Sequence, residues 1–298
     1  MTPLQRYLAE EVAVDHADGL ISRREALRRL ALMGFSVAAA SSLLAACAAD
    51  TPVPTATSPV PSPSPSPAGT TPVATTAITF AGPGGRTLMG AWADASDPRG
   101  GVLVVHENRG LTDHIRSVAG RLAGSGYSAL AIDLLSDEGG TAAEGDSANA
   151  TAALGRVSDE RFIADLKAGV SEIERRVPGR KIGAMGFCFG GGMVWTLLDA
   201  GEPRLAAAAP FYGPTPDEPD FSGSTAAVLG VYAALDDRVN ATRSAAESAL
   251  KQAGLTHRIE TFPGANHAFF NDTGERYNAA AAAQAYQLVL QWFGEHLG

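Results

Sequence analysis

From residue 78 onward the chain alternates two patterns: short unbroken apolar runs, and longer stretches in which apolar residues return every three or four positions. An unbroken apolar run bounded by turn residues reads as a strand buried on both faces, and the wider spacing reads as a helix with one covered face. Strands are predicted at Ala77–Phe80, Thr87–Ala93, Gly101–His106, Tyr127–Ile132, Lys181–Met185, Ala206–Phe211, Ala227–Tyr232 and His257–Phe262, with Gly101–His106 the plainest apolar run. The periodic stretches predict helices at Asp113–Ser125, Ser158–Val177, Gly190–Ala200, Asn240–Ala253 and Glu275–His296, with a small polar loop at Gly139–Ser147. Strands alternating with helices of this length imply an α/β fold, a mostly parallel sheet flanked by helices on both faces. Ligands of such sheets bind beyond the carboxyl ends of the strands.

Ahead of this domain the pattern is different. Residues 1–46 read as a targeting segment: Arg23-Arg24 precede an apolar stretch from Leu30 to Ala46 that is too short and too rich in Ala and Ser to span a bilayer comfortably. The arginine pair resembles a twin-arginine export signal. Leu44-Ala45-Ala46-Cys47 resembles a bacterial lipobox, in which Cys47 becomes the lipid-bearing first residue. Residues 47–77 continue as a tether, dense in Pro, Ser and Thr, where proline at this frequency excludes helix and ladder and favours extended chain. The domain proper then covers residues 78–298. An exported chain, lipid-anchored to the membrane on its extracytoplasmic side, is the expectation.

Composition narrows the partners. The chain carries 23 Lys and Arg against 32 Asp and Glu; residues 1–46 hold five of each, so removing them leaves the net charge at −9. A surface this acidic argues against nucleic acid as a partner, since phosphate contact needs clustered positive charge. Two cysteines, Cys47 and Cys188, each have a separate local explanation, so no disulfide is expected. No spacing of His, Cys and carboxylates reads as a metal ligand set, and no cofactor is implied.

The chemistry concentrates at strand ends. Gly186-Phe187-Cys188-Phe189-Gly190 joins a strand to a helix with the G-x-S-x-G spacing of a nucleophile elbow, cysteine standing where serine usually does. A helix beginning at the nucleophile points its free N–H groups at the sulfur and favours thiolate. An elbow calls for an acid and then a histidine, each after a later strand. Asp236 and His267 arrive in that order, His267 to hold the thiol proton and Asp236 to fix the imidazole tautomer. Asp237 competes with Asp236, which is preferred because it comes first after its strand. Glu107 follows an earlier strand and either binds the thiol proton or is a solvated loop acid. The N–H groups of Asn108 and Phe189 are candidates for an oxyanion hole.

These segments carry a resemblance. VVHENRG at 104–110, GFCFGGG at 186–192, YAALDDR at 232–238 and PGANHAFF at 263–270 are similar, in the same order, to those of the dienelactone hydrolase family, from Thr79 to the last helix. The resemblance implies the α/β-hydrolase fold and hydrolysis of a small-molecule ester or lactone, with carboxymethylenebutenolidase activity as the family's label. It implies Cys188 as nucleophile, Asp236 and His267 as its acid and base, and Glu107 as the glutamate that meets the resting cysteine. Two arginines that hold the substrate carboxylate in the family are absent: Asp137 and Asn271 stand there, leaving Arg109 as a candidate substrate-binding base. Neutral substrates are therefore expected. A lipoprotein that binds a ligand or partner on this fold without turnover is the alternative, which a complete Cys–His–Asp set argues against.

Overall fold

The computed structural model describes residues 1–48 and 71–298. The side chain of Cys47, on which the lipid reading rests, and most of the tether reading lie outside the described residues.

One eight-stranded sheet organises the domain: β1 (Thr76–Ala81), β2 (Thr87–Ala93), β3 (Gly100–Val105), β4 (Tyr127–Asp133), β5 (Ile182–Phe187), β6 (Leu205–Phe211), β7 (Ala227–Ala233) and β8 (His257–Phe262), in the spatial order β1-β2-β4-β3-β5-β6-β7-β8. Strand β2 runs antiparallel to both neighbours, and every other pairing from β4 to β8 is parallel. Every residue of β3, β4, β5 and β7 is buried, which is why these strands read as unbroken apolar runs.

The helices are α4 (Asp113–Gly124), α5 (Ser147–Leu154), α6 (Asp159–Arg176), α7 (Phe189–Asp199), the short α8 (Asp237–Asn240), α9 (Arg243–Gln252) and α10 (Ala279–His296), preceded by α1 (Pro3–Ala17), α2 (Arg23–Leu32) and α3 (Val37–Ala48). Helix α6 shows how sequence becomes packing. Ser158 caps it by accepting from the Arg161 N–H, acids fill its first turn and arginines its last, and Phe162, Leu166, Gly169, Val170 and Ile173 form the buried stripe. Removing a side chain such as Phe162 from that stripe costs about 3–5 kcal/mol.

Three predicted boundaries change. Helix α10 begins at Ala279 rather than Glu275, because Asn278 is the cap and accepts from the Ala281 N–H. The helix predicted from Asn240 is split into α8, capped by Asp236, and α9. Helix α5 lies in SANATAAL, next to the predicted polar loop; this stretch has no polar stripe to set a period, since Ala148 and residues 150–154 are all buried.

The amino-terminal segment is folded against the domain. The apolar stretch from Leu30 is broken at Gly34, whose φ of 90° ends α2 and turns the chain into α3. Among the described residues no helix is long and apolar enough to cross a membrane. Ala9, Val12, Ala13, Ala26, Leu30, Ala40 and Leu44 make a small core of their own within α1–α3. The opposite face of α1 places Leu4, Tyr7 and Leu8 in the main core of the domain.

Candidate active site

Cys188 sits between β5 and α7 at φ 56° and ψ −121°, a strained conformation for a residue with a side chain. The surroundings hold it there. A Cβ on Gly186 would stand 2.2 Å from the Gly190 carbonyl oxygen, and one on Gly190 would stand 2.3 Å from that of Val105. Only glycine lets the strand, the turn and the helix approach so closely. The Cys188 N–H donates to the Phe211 carbonyl (3.1 Å), tying the turn to β6.

His267 arrives on the loop after β8. The buried Nδ1 of its ring donates to Asp236 Oδ2 at 2.5 Å, and a ring nitrogen lies within 4.8 Å of Cys188 Sγ. Asp236 is buried at the end of β7, where its other oxygen caps α8 through the Val239 N–H (3.3 Å), while Asp237 is exposed. One side chain thus orients the imidazole and starts the next helix. The His267 loop is pinned from outside the site: Asp272 accepts from His114 Nδ1 (2.8 Å) and faces the buried Arg121 guanidinium (3.6 Å), both on α4.

Charge around His267 is dense. Burial opposes its protonation, but Glu11, Asp236 and Cys188 outweigh that and hold its pKa well above the ordinary imidazole value. Burial also works against the charge on Asp236, and the His267 imidazolium overcomes it, keeping the carboxyl below its usual range. The two shifts describe an Asp–His⁺ pair.

Glu107 is buried, and its Oε2 accepts from Asn271 Nδ2 (2.7 Å). The residue at the place of a carboxylate-binding arginine therefore holds this glutamate. Its other oxygen, Oε1, has no hydrogen-bond partner among the described residues. The partner of Cys188 Sγ is instead the Tyr7 hydroxyl at 3.3 Å. Phe189 opens α7, so its N–H belongs to the first turn, where no intrahelical carbonyl accepts it. Asn108 lies in the turn after β3, with its carbonyl accepting from Thr151 Oγ1 (2.8 Å), and Arg109 is exposed at the tip of that turn. Asp137 is matched by Arg86 (2.8 Å) and Arg161 (3.9 Å), which removes the repulsion its position suggests.

Helix α1 supplies the groups that sequence reasoning missed. Besides Tyr7, Glu11 Oε1 stands 3.3 Å from His267 Nε2, and Glu11 Oε2 pairs with Arg238. Arg238 lies over the Tyr7 ring, 4.4 Å from its centroid, within electrostatic reach of Cys188 and Asp236, and their charges with that of Glu11 raise its pKa despite burial. Asp15 and Asp18 pair with Arg276 at 2.9 and 2.7 Å. A signal for α1 as a helix was present, the capping box of Thr2 and Gln5 around Pro3; nothing local marked its docking place. Among the described residues, Glu11, Cys188 and His267 form the one group able to converge on a metal ion, with ligand atoms within 4.8 Å of one another.

Comparison with known proteins places this geometry in context. The model of the dienelactone hydrolase family matches residues 88–297. A Synechocystis protein named "Putative carboxymethylenebutenolidase" is 32% identical over 213 residues, covering 66% of this chain and 86% of its own. A protein of the same name from Escherichia coli O157:H7 is 33% identical over 210 residues, covering 66% and 77%. Among solved structures, a dienelactone hydrolase-like promiscuous phosphotriesterase from metagenomic libraries has a TM-score of 0.59 at 28% identity, covering 76% of this chain and 100% of its own. The dienelactone hydrolase of Anabaena variabilis has a TM-score of 0.58 at 23% identity, covering 75% and 98%, and shares the α/β-hydrolase fold.

Proposed function

Because this chain belongs to the dienelactone hydrolase family, we propose that it hydrolyses a small-molecule ester or lactone through Cys188, His267 and Asp236. The observation that carries the reading is the convergence of three strand ends. An elbow cysteine at a helix N-terminus lies within 4.8 Å of an imidazole nitrogen, and that imidazole is bound at Nδ1 to a buried aspartate. His267 takes the thiol proton, and Cys188 Sγ attacks the carbonyl carbon. The oxyanion is held by the N–H groups of Phe189 and Asn108. The intermediate collapses to an acyl-thioester while His267 returns the proton to the leaving alcohol. Water then attacks the thioester with His267 as base, releasing the acid and restoring the thiol. Glu107, oriented by Asn271, accepts a hydrogen bond from the thiol of the resting enzyme before His267 takes the proton.

The substrate's charge is met by a different residue from the one the sequence suggested. Arg109 is exposed at a turn tip, whereas Arg238 is partly buried, within electrostatic reach of Cys188 and Asp236. Arg238 takes the carboxylate-binding role, so anionic as well as neutral esters and lactones are substrates. The chain is exported and held at a membrane by lipid on Cys47, a reading supported by Arg23-Arg24 and by the Leu44–Cys47 segment. Turnover of activated esters and lactones, measured before and after alkylation with iodoacetamide in a Cys47→Ala background, tests the chemistry. Hydrolysis should vanish in step with modification of Cys188; hydrolysis that survives complete modification overturns the mechanism.

A further inference from the structure

The residues of α1 meet the site where a substrate would. Tyr7 places its hydroxyl 3.3 Å from the Cys188 sulfur, and Glu11 stands 3.3 Å from the Nε2 that must accept the thiol proton. Glu11 also occupies Arg238, the partly buried cation beside the nucleophile. One turn further, Asp15 and Asp18 occupy Arg276. A helix from the far end of the sequence therefore covers the nucleophile, the base and the neighbouring arginine together. A cavity of about 470 Å³ continues beside the elbow, with Phe189 and Met193 on the domain side and Leu4 and Tyr7 of α1 as its other wall. Substrate in that space meets Tyr7 before it meets Sγ.

The seat is built to be reversible. Leu4, Tyr7 and Leu8, with Met33 packed against the same core, are its apolar contacts with the domain, and polar ones accompany them: Gln5 Nε2 on the Gly155 carbonyl (3.0 Å), Glu11 on Arg238, Asp15 and Asp18 on Arg276, and Arg28 of α2 on Asp146 (2.6 Å). The opposite face of α1 is satisfied within α1–α3 by their own small core. The three helices can leave as a unit without exposing that core, so the opening free energy is set by a modest interface and not by the domain's sheet.

We infer that α1 is an autoinhibitory plug: seated, with Tyr7 on Cys188 and Glu11 between His267 and Arg238, it closes the site, and its departure opens it. This rests on the hydrolase reading above. It also ties activity to the amino-terminal segment, because any cut before Cys47 removes α1 and leaves the domain open. The closed form is then the precursor.

The test uses the full chain carrying Cys47→Ala, so that a single thiol is read. Asp15→Arg with Asp18→Arg turns both pairs with Arg276 into repulsions without altering a group that touches Cys188 or His267. The expected result is a rise of about tenfold or more in the rate of Cys188 alkylation by iodoacetamide and in turnover of p-nitrophenyl acetate. Adding Arg276→Asp restores attraction and should return both rates toward the starting values, which mere loosening of the fold would not do. Tyr7→Ala, which clears the sulfur and leaves the ion pairs of α1 with Arg238 and Arg276 in place, gives a second measure of access should the charge-reversed chain fail to fold. Faster alkylation without ester turnover in any variant keeps the plug and overturns the hydrolase reading. Ester turnover with alkylation rates unchanged by all these substitutions overturns the plug.

Discussion

Two helices meet at Cys188, and they are attached to the molecule on opposite terms. Helix α7 begins at the Cys188 elbow and packs on β5 and β6, with Val194, Trp195, Leu197 and Leu198 each at most 1% exposed and Trp195 stacked on Phe221. Helix α1 reaches the same sulfur from 181 residues away and is held by three apolar side chains, Leu4, Tyr7 and Leu8, and by ionised ones. Apolar burial of this kind is lost only by unfolding, whereas charges paired across a seam regain water when the helix that carries one partner departs. On the plug reading, one end of the site is a permanent part of the fold and the other is a cover.

The largest expected effect lies on the permanent side. Cys188→Ala should lower kcat by about a thousandfold or more while leaving the circular dichroism of the native chain in place, because no other group supplies the nucleophile. Turnover at the wild-type rate would break the comparison at its root. Stability separates the two helices next. Leu197→Ala in α7 should cost about 3 kcal/mol or more in urea unfolding, and Leu4→Ala in α1 less than half of that, because Leu4 lies at the edge of the core and its helix can detach. Equal costs would mean that α1 unfolds only with the sheet.

The cover should also leave a mark in titration. His267 has its pKa raised in the folded chain against the pull of burial, with Glu11 first among the groups that raise it. Its charge therefore contributes stability that is complete below the ordinary imidazole pKa of about 6.5 and is lost as pH rises through the higher folded value. Glu11→Gln removes that partner, so the His267 ring resonances should titrate at lower pH than in the wild type. An unmoved titration would show that Asp236 and Cys188 set the value without Glu11. The smallest effect concerns substrate. Once α1 is displaced, Arg238→Gln should lower the preference for a carboxylated lactone over its methyl ester by about fivefold in kcat/KM, a loss on the order of 1 kcal/mol. A preference that stays unchanged would send the carboxylate elsewhere, with Arg109 the next residue to substitute.

Much of the domain was legible because its signals are local. Strand β3 announces itself as six buried residues in a row, and α6 as a stripe with a serine cap, since both reflect periods imposed by the backbone. The elbow was legible for the same reason: the spacing of Gly186, Cys188 and Gly190 is dictated by one turn's close contacts. Asp236 and His267 could be placed by order along the chain, because each follows a strand of a parallel sheet. Helix α5 was not legible, because SANATAAL is buried almost throughout and carries no contrast between faces.

The amino-acid sequence by itself determined the α/β architecture, the strained turn under Cys188 and the strand-end origin of Asp236 and His267, because each depends on neighbours within a few residues or on chain order. Only the tertiary structure decided that Tyr7 faces Cys188, that Glu11 joins His267 to Arg238, and that Asn271 orients Glu107. Those partners lie 181, 256, 227 and 164 residues apart, the second being the interval from 11 to 267. A chain with 23 basic and 32 acidic residues offers hundreds of such pairings, and no periodicity ranks them. The choice is made by which surfaces pack, and then by the cost of leaving a buried charge without its counterion.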